Sequence, residues 1–416
     1  MTPAALSLVA LLVALAVSMT SRINVGWLAL SFAWGIGVYL AGLRPDVVMA
    51  GFPVPLFLTL TGVTLLFAIA EGNGTLEGLA HRAIRAAGGN ARVIPVIVFI
   101  AACVLCSVGP GAISTTALLA PLAMAVGQRV GIPPLLSALM VANGANAGNL
   151  SPFSSVGIIA NGAMAKAGLV GHESRVWFAN FAAHVVVACV AYLWLRQRTP
   201  AATSSVGTSG VADVVAFSGR QRLTLAIIAA WIIGVIAAGV SLGLSAFAAA
   251  AILLVAHAAD EARAVRGVPW GIIMMVCGVS VLIAVLEKTG GMDLFTTLLA
   301  RLASPASIDG VIAFVTGAIS TYSSTSGVVL PAFLPTIPGL VERLGGGNPL
   351  AIALSINVGS SLVDVSPLST IGALAVAAVS DPDQSLVLFR QLMAWGLSMI
   401  VVGAVLCQLF AGMLAR

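Results

Sequence analysis

The stretch Asn143-Gly-Ala-Asn-Ala-Gly-Asn-Leu-Ser-Pro-Phe-Ser-Ser-Val-Gly157 decides how this chain must fold. It lies between two apolar runs, 135–142 and 156–165, which are long enough to cross a bilayer only when taken together. Asn, Ser, Gly and Pro are poor helix residues, so the sequence predicts a helix that is interrupted near mid-membrane. Irregular backbone at that depth is tolerated only where protein buries it or where it lines a cavity.

A second copy of this pattern follows about 215 residues later, as Asn357-Val-Gly-Ser-Ser-Leu-Val-Asp-Val-Ser-Pro-Leu-Ser-Thr-Ile-Gly372. We call 143–157 the first break and 357–372 the second break. Interrupted helices in corresponding positions of two halves point to the binding site of a membrane transporter.

The composition places the chain among helical membrane proteins. It is 60% hydrophobic and 8% charged, with a mean hydropathy of +1.10. Apolar runs long enough for membrane helices recur, and no period-two alternation does. The net charge of +5 comes from Arg in loops, so nucleic acid is not an expected partner. The five cysteines lie in apolar segments and are expected to be small buried side chains: Cys103, Cys106, Cys189, Cys277 and Cys407.

The order of segments repeats along the chain. Gly62-Val-Thr-Leu-Leu-Phe-Ala-Ile-Ala-Glu71 aligns with Gly278-Val-Ser-Val-Leu-Ile-Ala-Val-Leu-Glu287 at an offset of 216. The sequence therefore predicts two halves, 1–197 and 222–416, joined by a Pro-, Ser- and Gly-rich linker at 198–221. Each half is predicted to contain five membrane spans, one of them broken, and one re-entrant hairpin. Because five is an odd number, the second half enters from the opposite face, and the repeat is inverted.

The segments of the two halves correspond one to one. In the first half the predicted spans are 4–20, 26–43, 53–70, the broken helix 133–167 and 174–196, with an interfacial helix at 75–90 and the first hairpin at 92–128. In the second half they are 222–240, 243–258, 269–286, the broken helix 348–379 and 387–412, with an interfacial helix at 291–303 and the second hairpin at 308–342.

The positive charges predict the orientation. Twelve of the 19 Lys and Arg residues lie on the side of the linker, which is therefore placed in the cytoplasm. Both termini are then outside, the first hairpin opens towards the cytoplasm, and the second opens outward. The expected location is the inner membrane of a bacterium.

Two hairpins and two broken helices bring four helix N-termini to mid-membrane. Each N-terminus carries about half a positive charge, so the four together suit a ligand with two carboxylates. No Lys or Arg lies in the four polar stretches, and bound cations such as Na⁺ are expected to supply the countercharge. The polar side chains are Ser107, Ser114, Thr115, Thr116, Asn143, Asn146, Asn149 and Ser151 in the first half, and Ser320, Thr321, Ser323, Ser324, Thr325, Asn357, Ser360, Ser361, Ser366, Ser369 and Thr370 in the second.

Asp364 is the one acidic residue in these stretches. It is expected to ligate Na⁺, to carry a proton, or to cap the second part of its broken helix, and the sequence does not separate these roles. Glu71 and Glu287 match across the repeat but lie at span ends, where a structural role is expected. His184 lies on an apolar span and is expected to be a hydrogen-bonded interior residue.

Short motifs carry a resemblance to a known group of proteins. Leu286-Glu-Lys-Thr-Gly290 follows a predicted span, and Ala120-Pro-Leu-Ala-Met124 lies on the return arm of the first hairpin. Ser-Pro pairs stand in both breaks, at 151–152 and 366–367. With these motifs the chain resembles, over essentially its full length, the ion-transporter superfamily, in particular the divalent anion/sodium symporters and the MatC-type malonate and dicarboxylate carriers.

The resemblance implies an elevator-type transporter that forms a homodimer. A scaffold domain, 4–70 with 222–286, would form the dimer contact, and a transport domain, 92–196 with 308–412, would move. Substrate carboxylates would bind Ser-Asn-Thr motifs at the hairpin tips, with Na⁺ between each tip and the adjacent break. Neither tip has the central Asn of that motif, so the Asn-rich first break is the expected source of the missing amides.

These arguments predict two sets of site residues. The predicted substrate-binding residues are Ser114, Thr115, Asn146, Asn149, Ser151, Ser323, Ser324, Thr325, Ser366, Ser369 and Thr370. The predicted Na⁺ ligands are Ser107, Gly111, Asn143, Asn146, Ser320, Ser324, Asn357, Gly359 and Asp364.

The expected function is import of a small dicarboxylate such as malonate or succinate, coupled to Na⁺, with no other cofactor. The first alternative is a proton-coupled carrier or an antiporter of another small anion, with Asp364 as the proton site. An anion channel is a further alternative, since channels also use re-entrant hairpins. An enzyme is not expected, because the interior carries neither a His/Glu metal cluster nor a Gly-x-Ser-x-Gly motif.

Overall fold

The computed structural model describes residues 2–20, 23–85, 90–109, 111–196, 216–238, 240–321, 324–379 and 381–416. Within these ranges all regular secondary structure is helical. Most of the predicted linker and Ser323 lie outside the described residues.

The helices of the first half follow the predicted order. They are Pro3–Thr20, Val25–Trp34 continued by a π-helical turn at Gly35–Leu40, Pro45–Met49, Val54–Gly72, Thr75–Arg85, Ile94–Val108, Gly111–Arg129, Pro134–Gly148, Ser155–Lys166 and Glu173–Leu195. The short helix Pro45–Met49 is an addition that the sequence interpretation missed.

The second half repeats this order. Its first helices are Gly219–Ala238, Leu242–Val255, Glu261–Gly267, Trp270–Lys288, Gly291–Ala300 and Ile308–Ser320. The return arm of the second hairpin begins with a π-helical turn at Thr325–Val329 and continues through Leu330–Phe333, Leu334–Thr336 and Ile337–Leu344. The last helices are Pro349–Leu362, which ends in a 3₁₀ turn at Val363–Val365, then Thr370–Ala377 and Pro382–Leu414. The short helix Glu261–Gly267 corresponds to no predicted segment.

Seven helical segments of the described chain are long and apolar enough to cross a membrane. They are Pro45–Gly72, Gly111–Arg129, Glu173–Leu195, Trp270–Lys288, Thr325–Leu344, Pro349–Ala377 and Pro382–Leu414. Shorter apolar helices, such as Val25–Leu40 and Leu242–Val255, accompany them. The protein is therefore an all-helical, multi-pass membrane protein.

Both predicted helix interruptions are present, but they are shorter than the sequence suggested. The first helix of each pair ends at Gly148 or Leu362, so Asn143, Asn146 and Asn357 are helical. The amides of Asn143 and Asn357 donate to the carbonyl groups one turn earlier, at 2.9 and 2.8 Å. Such bonds within a helix satisfy a buried polar side chain, which is why helix-poor residues do not end the helix here.

Glycines mark two places where helices of different halves touch through their backbones. A Cβ atom at Gly26 would meet the backbone of Met274 and Met275, and one at Gly278 would meet the backbone of Gly26. At the second crossing, a Cβ at Gly62 would meet the Gly243 carbonyl oxygen. Each crossing pairs the second apolar helix of one half with the third of the other.

The hairpins and broken helices pack on one another across the two halves. The return arm of the first hairpin, Gly111–Arg129, contacts Thr370–Ala377 beyond the second break. The return arm of the second hairpin likewise contacts Ser155–Lys166 beyond the first break. These contacts between the two halves bring both hairpin tips and both breaks close together.

Candidate functional site

A cavity of about 530 Å³ lies where the two tips and the two breaks meet. Four helices begin at its wall, and each contributes residues of its first turn. These are Gly111–Ser114 at the first tip, Ser155 and Val156 after the first break, Ser324–Ser326 at the second tip and Ser369–Ile371 after the second break. Free N–H groups of helix N-termini favour anions, and here four sets of them face one space.

The backbone at the first hairpin tip allows a neighbouring helix to approach closely. Gly111 has φ +82°, a conformation that favours glycine, and a Cβ there would lie 2.8 Å from the Ser155 hydroxyl oxygen. The first tip therefore lies directly against the Ser155 side chain, at the start of the helix beyond the first break.

The first hairpin tip and the first break bring only neutral side chains to the site. Asn149 lines the cavity at the end of Pro134–Gly148, and its Oδ1 atom lies 3.8 Å from the Cys106 sulfur. Thr115 and Ser154 are buried beside the same thiol. Apart from weak contacts with the Cys106 and Cys103 thiols, their hydroxyls and that of Ser107 have no hydrogen-bond partner in the described structure. Buried oxygens with so few partners are uncommon in folded proteins, so these hydroxyls are candidate ligands for a bound ion or a polar substrate.

The second half of the site contains an acid. Asp364 lines the cavity, and its carboxylate lies beside the Thr325 hydroxyl. The Thr325 hydroxyl also bonds that of Ser320, and Ser369 donates to the backbone carbonyl of Asp364. In contrast to the first half, these hydroxyls satisfy one another.

The predicted substrate-binding residues fall into two groups. Those that line the cavity are Ser114, Asn149, Ser324, Thr325, Ser369 and Thr370. Those that do not line it are Thr115, Asn146, Ser151 and Ser366, which lie buried behind its wall. Ser151 donates to the Ser107 carbonyl at 2.6 Å and so ties the first break to the first tip.

The predicted Na⁺ ligands divide in the same way. Gly111, Ser324 and Asp364 line the cavity, and Ser320 reaches it through Thr325. Asn143 and Asn357 do not line it, because their helices continue past them. Gly359 packs against the backbone of Ala313, and a Cβ there would collide with it. Its role is therefore close helix packing in Pro349–Leu362.

Asn143 belongs instead to a buried polar network centred on His184. His184 Nδ1 lies 3.0 Å from Asn143 Oδ1, and its Nε2 lies 3.4 Å from the Ser361 hydroxyl. Ser361 donates to Asn180 Oδ1 at 2.6 Å, and Asn180 donates to the Asn146 carbonyl at 2.6 Å. The network joins both broken helices through Glu173–Leu195, so His184 is a hydrogen-bonded interior residue, as expected. Asn180 was missed because a single Asn in an apolar span shows no pattern.

Glu71, for which the sequence predicted a structural role at a span end, lies at the cavity wall. It lines the cavity beside Ser114 of the first tip, together with Thr64 and Phe67 of the same helix. Its match with Glu287 across the repeat was the available signal. The cavity thus faces two carboxyl groups, Glu71 and Asp364, and among its described lining residues there is no Lys, Arg or His.

A second cavity, of about 750 Å³, is lined by the corresponding residues of the other half. Thr64, Phe67, Ala68 and Glu71 line the first cavity, and Ser280, Ile283, Ala284 and Glu287 line the second, each 216 residues further along the chain. The helix Ser155–Lys166 contributes to both, with Ser155 in the first and Lys166 in the second. The two cavities are therefore related by the sequence repeat.

Comparison with known proteins supports the interpretation of this chain as a carrier. Residues 1–149 match the family profile described as the N-terminus of the dicarboxylate carrier protein MatC. No curated protein matches the chain. Among solved structures, the chain is similar to the YdaH transporter of Alcanivorax borkumensis, with 16% identity, a TM-score of 0.53, and coverage of 89% of this chain and 90% of that one.

It is also similar to MtrF of Neisseria gonorrhoeae, from a class of antimetabolite efflux pumps, with 14% identity, a TM-score of 0.56, and coverage of 98% and 95%. At these identities the likeness concerns the fold. Together, the carrier profile and the two transporter folds point to a transporter of small anions and not to an enzyme.

Proposed function

We propose that the protein is a secondary active transporter that imports a small dicarboxylate of the malonate or succinate class together with Na⁺. The observation that carries this proposal is the convergence of four helix N-termini on one cavity, whose lining among the described residues contains no basic side chain. About half a positive charge at each N-terminus offsets the two charges of a dicarboxylate. The match of residues 1–149 to a dicarboxylate carrier profile supports the same substrate class.

The proposed cation sites lie on the two sides of the bound dicarboxylate. In the first half, the unpartnered hydroxyls of Ser107, Thr115 and Ser154 with the Asn149 amide oxygen supply neutral ligands. In the second half, Asp364 supplies a charged oxygen, and Ser320 and Thr325 supply hydroxyls. Oxygen donors of this kind suit a hard cation. A cation at either place also neutralises the dianion, so the two solutes bind better together than apart.

A proton-coupled carrier or antiporter of another small anion is the second candidate. The specific observation in its favour is that Glu71 joins Asp364 at the cavity wall, which gives two carboxyl groups and no base among the described lining residues. Ionisable groups at membrane depth commonly serve as proton carriers.

We further propose that the two halves form an inverted repeat that works as an elevator in a homodimer, in the inner membrane of a bacterium. The equivalent cavities and the paired glycine crossings support the repeat. The helices of the crossings would be the scaffold, 4–70 with 222–286, and the hairpins with the broken helices would be the transport domain, 92–196 with 308–412.

The test is uptake of radiolabelled malonate and succinate by the purified protein in proteoliposomes. A Na⁺ gradient is expected to drive accumulation above the external concentration, and a proton gradient alone is not. Accumulation driven by protons alone would establish the second candidate instead. Passive, non-saturable flux without exchange of internal for external substrate would establish a channel and overturn both.

A further inference from the structure

The second cavity contains the one basic side chain that lines either cavity in the described chain. Lys166 is exposed there, and the residues around it are apolar apart from Thr59, Ser280 and Glu287. Lys166 is the last residue of the helix Ser155–Lys166, whose first turn lies at the central cavity. Twelve helical residues span about 18 Å, so Lys166 stands about that far from the central site.

Lys166 has no direct ion pair in the described structure, although Glu287 shares its cavity and acts on it at longer range. Its ammonium donors therefore remain available to a ligand. The hydroxyl of Ser280, on the opposite wall, is a second donor. A lysine in a cavity with low-dielectric walls attracts anions more strongly than one on an open surface.

We propose that Lys166 forms a peripheral, low-affinity binding site for the carboxylate substrate at the outer mouth of the transport path. The proposal rests on the proposed function and on the orientation predicted from the basic residues, which places Lys166 outside. The dianion is attracted to Lys166 before it reaches the four helix N-termini.

Glu287 sets the strength of this site. A lysine alone would hold a dianion tightly and slow its onward transfer, whereas the neighbouring carboxylate weakens the attraction. A site on a transport path must bind well enough to load and weakly enough to release. Glu71, the repeat equivalent of Glu287, faces a cavity whose described lining has no base. The second cavity therefore has a base beside its acid, whereas the described lining of the central cavity has acids only.

The experiment compares uptake of radiolabelled malonate in membrane vesicles of both orientations. K166Q is expected to raise the KM for external malonate about tenfold at low ionic strength, with the maximal rate retained and with little change for malonate on the opposite face. K166R is expected to restore the wild-type KM. E287Q is expected to lower the external KM and the maximal rate together, because the substrate leaves the peripheral site more slowly.

Salt and a neighbouring lysine provide the controls. The effect of K166Q is expected to shrink at about 0.5 M salt, where exposed charges are screened beyond a few ångströms. K288Q is the matched control, since Lys288 also acts on Glu287 but does not line the cavity. An unchanged KM in K166Q, an equal change for both faces, or an equal effect of K288Q would overturn the inference while leaving the proposed function intact. If the wild-type protein transports no dicarboxylate, the proposed function and this inference both fall.

Discussion

The two halves of the central site share a backbone plan and differ in chemistry. In each half, a hairpin tip faces a break, and a Ser-Pro pair precedes a glycine that packs on the serine carbonyl, Ser151 with Gly157 and Ser366 with Gly372. The first half leaves buried hydroxyls without partners, whereas the second satisfies its hydroxyls internally and adds Asp364. The repeat therefore preserves the direction of the helix ends, and the side chains determine which ligand can bind at each end.

The largest effect is expected at the acid that distinguishes the second half. Asp364→Asn keeps the shape of the side chain and removes its charge, so coupled uptake is expected to fall about 100-fold. The rate of Na⁺-driven malonate uptake in proteoliposomes measures this. Asp309→Asn is the control, since Asp309 lies on the neighbouring hairpin arm Ile308–Ser320, outside the cavity. Equal losses in both variants would contradict a special role for Asp364.

The shared backbone plan is tested by the two glycines behind the Ser-Pro pairs. A Cβ at Gly157 would collide with the Ser151 carbonyl, and one at Gly372 with the Ser366 carbonyl. Gly157→Ala and Gly372→Ala are each expected to lower the free energy of unfolding by about 2 kcal/mol, because backbone must shift. Thermal unfolding in detergent measures the loss. Gly412→Ala, at a helical site with open space around it, is expected to cause no loss.

A comparison of Asn149 with Asn146 tests whether the ligand is bound by the amide at the cavity wall and not by the amide behind it. Asn149 lines the cavity, and Asn146 does not. Asn149→Ala is expected to raise the KM for malonate about tenfold, the effect of one lost hydrogen bond to a charged ligand. Asn146→Ala is expected to change the KM much less. The sequence pattern alone predicted that both residues bind the substrate, and equal KM values in the two variants would support that prediction.

The smallest effect is expected in the network that joins the two broken helices. Ser361→Ala removes the donor to Asn180 Oδ1 and is expected to lower the free energy of unfolding by about 1 kcal/mol with the KM unchanged. Ser355 provides the comparison, because it is buried on the same helix but donates to its own backbone, at Ala351. A larger loss in Ser355→Ala would show that the link between the helices contributes little.

The sequence predicted the order of helices because apolar runs and Ser-Pro pairs are local signals. It placed the breaks but made them too long, since Asn143 and Asn357 bond their own helices, and composition cannot reveal that bond. It found the cavity residues on helix first turns, such as Ser114 and Ser369. It did not predict that Glu71 lines the cavity, because the face of a uniformly apolar helix that meets a cavity depends on packing with the other half.

The two glycine crossings limit when the helices can pack together during synthesis of the chain. Gly26 meets Gly278, and Gly62 meets Gly243, so each contact joins an early segment of the chain to a late one. Neither contact exists until the ribosome has delivered the later segment to the bilayer. A nascent chain that ends within the linker therefore exposes two glycine faces whose packing partners have not yet been synthesised.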